Sequence, residues 1–234
     1  MKNTRLLVLF DLDGTLVDPA GAITGGIAGA LRTVGLTVPA PGDMRRMVGP
    51  ALVRSLTDIA RVPQDRVDEV IAVYRAGYRA RGMQESRPYP GIADTVLSLS
   101  DLGHTVAVAT QKPQRLAREL LDVQGMTALF ASIHGAPDDE LAAALLDGKR
   151  TIIAAALAQH AGRYERAVMV GDRSHDIEGA AANGLECVAV DWGFGSAEEF
   201  DRTRPAAVVS SAGALLDRLL AYAEPVPAVT HGRL

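Results

Sequence analysis

The sequence predicts an α/β protein, a doubly wound and mostly parallel sheet carrying an inserted small α-helical domain. Three observations predict it. Short valine-rich runs recur at "LLVLF" (6–10), "TVAVAT" (105–110), "AVMVGD" (167–172), "CVAVDW" (187–192) and "AAVVSS" (206–211). They are apolar at successive rather than alternate positions, the pattern of strands covered on both faces. Helical periodicity separates most of them, and strand–helix alternation implies a sheet wound on both sides. Finally, about ninety residues without a convincing strand divide the first run from the second, far more than the dozen or so a crossover needs.

The elements follow in order. After the first strand, Ile23, Ile27, Leu31 and Val34 stand at helical spacing and end at Gly35; Leu52, Val53, Leu56 and Ile59 give a second helix. Val67, Val70, Ile71, Tyr74 and Tyr78 give a third, stopped at Gly82. Proline and glycine interrupt the pattern at Asp18 to Gly21 and at "SRPYPG" (86–91), which places the joints of the insert there. The expected division is therefore 1–18 with 88–224 as the sheet domain, 19–87 as the helical cap and 225–234 as a C-terminal tail. Within the sheet domain, Ile92, Val96, Leu99 and Leu102 form a helix closed by Gly103, and Leu116, Leu120, Leu121 and Val123 one closed by Gly125. "DIEGAAANG" reads as a helix with Asp176 as N-cap and Gly184 as stop. His104 and His134 read as loop residues. Gly25, Gly26 and Gly29 fall inside the first cap helix and lack the lysine of a phosphate loop.

Composition narrows the function. Twenty-four basic and twenty-eight acidic residues give a formal charge of −4, so no excess of positive charge neutralises a nucleic-acid backbone or an anionic membrane. One cysteine, Cys187, excludes an internal disulfide framework and reads as a buried strand residue. The apolar run at 6–10 is cut short by Asp11, well below the length of a signal peptide or membrane span, so a cytoplasmic protein is expected.

Chemistry concentrates where strands end. Asp11 and Asp13 close the first run, and Asp172 and Asp176 follow another. Ligands of open parallel sheets bind beyond the carboxyl ends of the strands. Carboxylates gathered there repel unless a cation lies between them, and oxygen-only donors favour magnesium, whose octahedron is commonly completed by phosphate and water.

"Asp11-Leu12-Asp13-Gly14-Thr15", then Thr110, then Lys149, then "Gly171-Asp172" with Asp176, resemble the four ordered motifs of the haloacid dehalogenase superfamily of phosphohydrolases. The resemblance runs from residue 6 to about 211. It implies a Rossmann-like core and a phosphatase in which Asp11 is the nucleophile, forming an aspartyl-phosphate, and Asp13 the general acid and base. Thr110, Gln111 and Lys149 would contact the phosphoryl group. Asp11, Asp172 and the backbone carbonyl of Asp13 would ligate magnesium, with Asp176 supporting the metal or its waters. Lys112 and Arg150 are rivals to Lys149 as the motif lysine or its neighbour. "MRRMVGPAL" (44–52) is the cap stretch expected to reach the site, with Arg45 or Arg46 meeting an anionic substrate. The phosphoglycolate phosphatase and 5'-nucleotidase-like branch is most similar, so the implied partner is a small phosphorylated metabolite, with the protein a monomer or homodimer. A phosphotransferase or phosphomutase using the same intermediate, and a non-catalytic module binding a phosphorylated ligand, remain open. A halide-displacing enzyme is disfavoured, because the acids suit magnesium and phosphate.

Overall fold

The computed structural model describes residues 4–145 and 147–224; the tail at 225–234 lies outside the described residues. Six parallel strands form one sheet in the order β5-β4-β1-β6-β7-β8. These are β1 (Leu6–Phe10), β4 (Thr105–Pro113), β5 (Ser132–Ala136), β6 (Arg166–Gly171), β7 (Glu186–Val190) and β8 (Ala207–Val209). Both faces are covered, as the apolar runs require. Leu6, Val8 and Phe10 pack on one side with Ile92, Val96 and Leu99 of α6 (Ile92–Asp101), with α7 (Gln114–Val123) and with α12 (Ala212–Ala223). Leu7 and Leu9 pack on the other with α9 (Gly148–Gln159), α10 (Ser174–Ala181) and Phe200 of α11 (Ala197–Thr203). All five β1 side chains are fully buried, each contributing about 1.5 to 3 kcal/mol. Cys187 is buried in β7, as its context predicted.

β5 has no counterpart in the sequence reading. Its segment "SIHGA" carries no apolar run, and His134 lies in this strand rather than in a loop. The polar groups are satisfied internally: the Ser132 hydroxyl bonds Nε2 of His134 at 2.9 Å and Nε2 of His160 at 2.7 Å.

The chain leaves β1 on one side of the sheet for β4 and β5 and on the other for β6 to β8, so the switch in winding direction lies beside β1. Before β4 comes the helical insert, entered and left through a two-stranded antiparallel ribbon, β2 (Val17–Asp18) with β3 (Arg87–Pro88). Ala20 and Gly21 turn the chain at positive φ before α1 (Ala22–Thr33), and Gly91 does so before α6. Beyond α1, the insert holds α2 (Pro41–Arg46), α3 (Leu52–Arg54) continued by a π-turn to Ile59, and α4 (Val67–Gly77). The third helix does not stop at Gly82. It runs on through a π-turn and α5 (Met83–Glu85). Gly82 is there for packing: a Cβ would lie 2.7 Å from the Tyr78 ring and 3.2 Å from Ala22 Cβ. The last helix of the α/β part to be placed is α8 (Glu140–Leu145), which precedes α9. No helix among the described residues is long and apolar enough to cross a membrane.

Candidate active site

Three adjacent strands, β4, β1 and β6, bring their carboxyl ends together. Asp11 follows Phe10, and its N–H donates to the Val170 carbonyl at 2.9 Å, so the sheet ladder extends to the carboxylate-bearing residue. Asp172 follows Gly171 on the neighbouring strand and is fully buried. Its Oδ1 accepts from the Thr15 hydroxyl at 3.2 Å, and its Oδ2 from the Phe194 N–H at 2.7 Å. Glycines make this approach possible. Gly14 sits at φ +89°, and a Cβ at Gly14 or Gly193 would run into the Asp172 carboxylate.

Asp11, Asp172 and Asp176 each present a carboxylate oxygen to a common point, these atoms all lying within 4.8 Å of one another. Asp176 is not the N-cap of its helix. Arg173 takes that position, and Asp176, at the third position of α10, accepts from the N–H groups of Asp172 at 3.1 Å and Arg173 at 3.0 Å through Oδ2. Its other oxygen faces the cluster, so one carboxylate both caps the helix and joins the site.

Lys149 enters this cluster from the first turn of α9. Its buried Nζ donates to Asp11 Oδ1 at 2.7 Å and to the Ala109 carbonyl at 2.8 Å. It also lies 2.7 Å from Asp176 Oδ1, an ion pair without hydrogen-bond alignment. Arg150, beside it, is exposed and faces Asp147 at 3.5 Å. Burial alone would lower the Lys149 ammonium, but Asp11 and Asp176 outweigh it and hold the group protonated. One ammonium does not balance three carboxylates. Burial, then Asp176 and Asp11, push the Asp172 carboxyl well above its ordinary range. Burial raises Asp176 to about 6 against the pull of Lys149, with Asp11 adding to the rise. The charge deficit and the oxygen-only donors fit a hard divalent cation.

The Asp13 carboxylate does not join this trio. Its Oδ2 accepts from Lys112 Nζ at 2.6 Å, and that ammonium lies 4.7 Å above the Tyr78 ring. Residue 13 is turned toward the helical insert, which leaves only its main-chain carbonyl for the metal role that the resemblance implies. The two lysines are therefore partners of different acids rather than alternatives for one position. Asp13 Oδ1 is buried without a hydrogen-bond partner.

Asp11, Asp13, Thr110, Gln111 and Lys112 line a small cavity of about 50 Å³, with Ile23, Val48, Tyr74 and Arg75 of the insert on its other side. Thr110 is buried with its hydroxyl accepting the Lys112 N–H at 3.2 Å. Gln111 donates through Nε2 to the Gly49 carbonyl at 3.1 Å. Arg45 and Arg46 do not reach the cavity. Both are exposed at the end of α2, Arg46 bound to Asp43 at 3.0 Å and Arg45 stacked 5.4 Å from the Phe194 ring. The cap arginine that does line it is Arg75, paired with Glu140, and nothing in its local sequence distinguishes it. Arg173 joins the two parts of the molecule: Nε binds Glu199 at 3.1 Å, and Nη1 donates to the Val48 carbonyl.

A family model described as haloacid dehalogenase-like hydrolase matches residues 8–190. The chain belongs to this family. Among curated proteins, this hydrolase is 39% identical over 206 residues to tyrosine-protein kinase PtkA of Mycobacterium tuberculosis, covering 88% of the chain and 69% of the relative. It is 35% identical over 202 residues to a 5'-nucleotidase of Pseudomonas aeruginosa, covering 85% and 88% respectively. A solved structure of a predicted phosphatase from Clostridium acetobutylicum superposes with a TM-score of 0.83 at 31% identity, covering 93% of this chain and 99% of that one. The matched residues span the sheet through β7, and with it Asp11, Thr110, Lys149, Asp172 and Asp176.

Proposed function

We propose that this haloacid dehalogenase-like hydrolase is a magnesium-dependent phosphatase of small phosphomonoesters, working through an aspartyl-phosphate on Asp11. One observation carries the reading. A buried carboxylate trio, short of positive charge, faces a second acid that is held separately by its own lysine. That is a division into a nucleophile at a cation site and an acid–base group beside it.

Asp11, the Asp13 carbonyl, Asp172 and Asp176 would hold the metal. When bound, magnesium would neutralise the phosphoryl oxygens and orient the ester. The protein's own residues do the rest. Asp11 attacks phosphorus, and Asp13 protonates the departing alkoxide; Asp13 then takes a proton from the water that opens the acyl phosphate. Lys149 holds the Asp11 carboxylate in place and faces the phosphoryl charge, and Thr110 offers its hydroxyl to a phosphoryl oxygen. Residues 19–87 act as the cap that covers this chemistry. The 50 Å³ of free space is far below the several hundred Å³ of ordinary ligand pockets, which suits an insert that moves to admit a substrate.

The test is hydrolysis of p-nitrophenyl phosphate with and without magnesium, by the wild type and Asp11→Asn. Activity that needs the metal and disappears in the variant is expected; near-normal turnover by Asp11→Asn would refute the reading. A second reading has a specific observation behind it, since one relative is named as a tyrosine kinase. There the phosphoryl group would pass from Asp11 to an acceptor hydroxyl instead of to water, the Asp11 carboxylate being regenerated. Phosphate accumulating on Asp11 and released only on adding a hydroxylated acceptor would favour it.

A further inference from the structure

A larger pocket, of about 460 Å³, lies on the other side of Gln111 from the small cavity. Pro50 and Gln111 line both, so the glutamine side chain is the wall between them. Its amide is held from two sides. Nε2 donates to the Gly49 carbonyl of the insert, while Oε1 rests against Gly148, where a Cβ would collide with it. Gly148 directly precedes Lys149, and the wall therefore stands beside the residue that faces Asp11.

The outer pocket is bounded by Ala51 and Arg54 of the insert and by Arg150, His175, Glu178 and Ala182 of the sheet domain. Two of its charged groups have ion-pair partners, and Arg54 is held by a main-chain carbonyl. Arg150 faces Asp147 at 3.5 Å, Glu178 faces Arg202 at 3.2 Å, and Arg54 donates to the Ala144 carbonyl at 3.0 and 2.8 Å. Such a lining offers several hydrogen-bonding groups of both signs. Its volume falls within the range of pockets that enclose a ligand of drug size, far more than a two-carbon fragment fills.

We infer that this pocket receives the leaving group, that Gln111 is the gate and a specificity-determining residue, and that the substrate class is phosphomonoesters of neutral, hydroxylated leaving groups of nucleoside size. This rests on the phosphatase reading above. Release of Gln111 from Gly49 joins the two spaces, the phosphoryl group lying against Asp11 and the sugar and base in the outer pocket. A small carboxylated ester such as phosphoglycolate gains nothing from the larger space.

The experiment compares kcat/KM for adenosine 5'-monophosphate, phosphoglycolate and p-nitrophenyl phosphate with magnesium. The wild type should favour the nucleotide over phosphoglycolate by about tenfold or more. Ala182 is exposed at the pocket rim, so Ala182→Trp fills the space without disturbing the core. It should lower the nucleotide value by about tenfold and leave p-nitrophenyl phosphate within about twofold. Ala51→Phe fills the pocket from the insert side and serves as a second variant should the first fail to fold. Gln111→Ala removes the gate and should raise the ratio of nucleotide to p-nitrophenyl phosphate. Equal losses on both substrates, an unchanged ratio, or a preference for phosphoglycolate overturns the inference while leaving the phosphatase reading intact. Failure to hydrolyse any of the three esters refutes that reading itself, and the inference with it.

Discussion

Replacing Lys149 by methionine tests the electrostatic balance of the site through stability, without reference to turnover. The ammonium contacts Asp11, Asp176 and the Ala109 carbonyl, and the two carboxylates it would leave behind are buried. Removing one partner of a buried ion pair costs about 3 to 5 kcal/mol. For a chain of this length that corresponds to a fall in Tm of about 6 to 20 °C in chelator. The loss should depend on pH in a defined sense. Asp176 is raised to about 6 with Lys149 present, and without it burial and Asp11 are opposed only by the main-chain N–H bonds to its Oδ2. A carboxyl raised on folding binds its proton more tightly in the native state, so its contribution is favourable in acid and is lost as pH rises through the folded value. The variant should therefore lie nearest the wild type at pH 5 and furthest from it at pH 8. Magnesium at pH 8 should restore much of the difference, because it supplies the missing positive charge to the same oxygens. Thermal melts at both pH values, with chelator and with magnesium, make the comparison. A fall of under about 3 °C, or a larger one that neither acid nor magnesium relieves, refutes the account.

Other outcomes follow from the same contacts. Gly14→Ala forces a side chain into φ +89° and against the Asp172 carboxylate; magnesium affinity measured by calorimetry should drop, with a stability loss of about 1 to 3 kcal/mol in denaturant titration. Calcium should inhibit in competition with magnesium, since its longer bonds and higher coordination number misplace nucleophile and phosphate; equal rates with the two ions would count against the trio as the metal site. Arg173→Ala removes the bond to the Val48 carbonyl, so amide hydrogen exchange at 47–49 should quicken while β6 stays protected. Burial lowers His104, whose Nδ1 accepts the Leu6 N–H at 3.3 Å. A histidine lowered on folding contributes fully above its unfolded value near 6.5 and loses that contribution as pH falls through the folded one. His104→Gln should accordingly flatten the decline in urea midpoint between pH 7 and 5.

The sequence by itself determined the elements whose signals are local. Five of the six sheet strands carry runs of successive apolar residues, wholly buried in β1 and largely so in β4, β6 and β7, and such runs are legible because they break the alternation of a one-sided strand. The insert announced itself through helical spacing and the proline and glycine at its joints. Asp11, Asp13 and Asp172 were legible because carboxylates at the ends of apolar strands need a partner. β5 was not, since its serine bonds His160 at the end of α9, a partner no local pattern reveals, and its histidine bonds that serine. Nor was the glycine at 82 readable as a packing residue, because the ring it accommodates belongs to the tertiary arrangement of its own turn. The assignment of charges was decided by the tertiary structure alone. Lys149 meets Asp11 across 138 residues of chain and Lys112 meets Asp13 across 99, and the fold turns consecutive acidic positions toward different lysines. The same holds for the cap, where Arg75 lines the small cavity and Arg45 and Arg46 face outward. Spacing fixes which residues share a helix face; which face meets the strand ends depends on how the insert sits over the sheet.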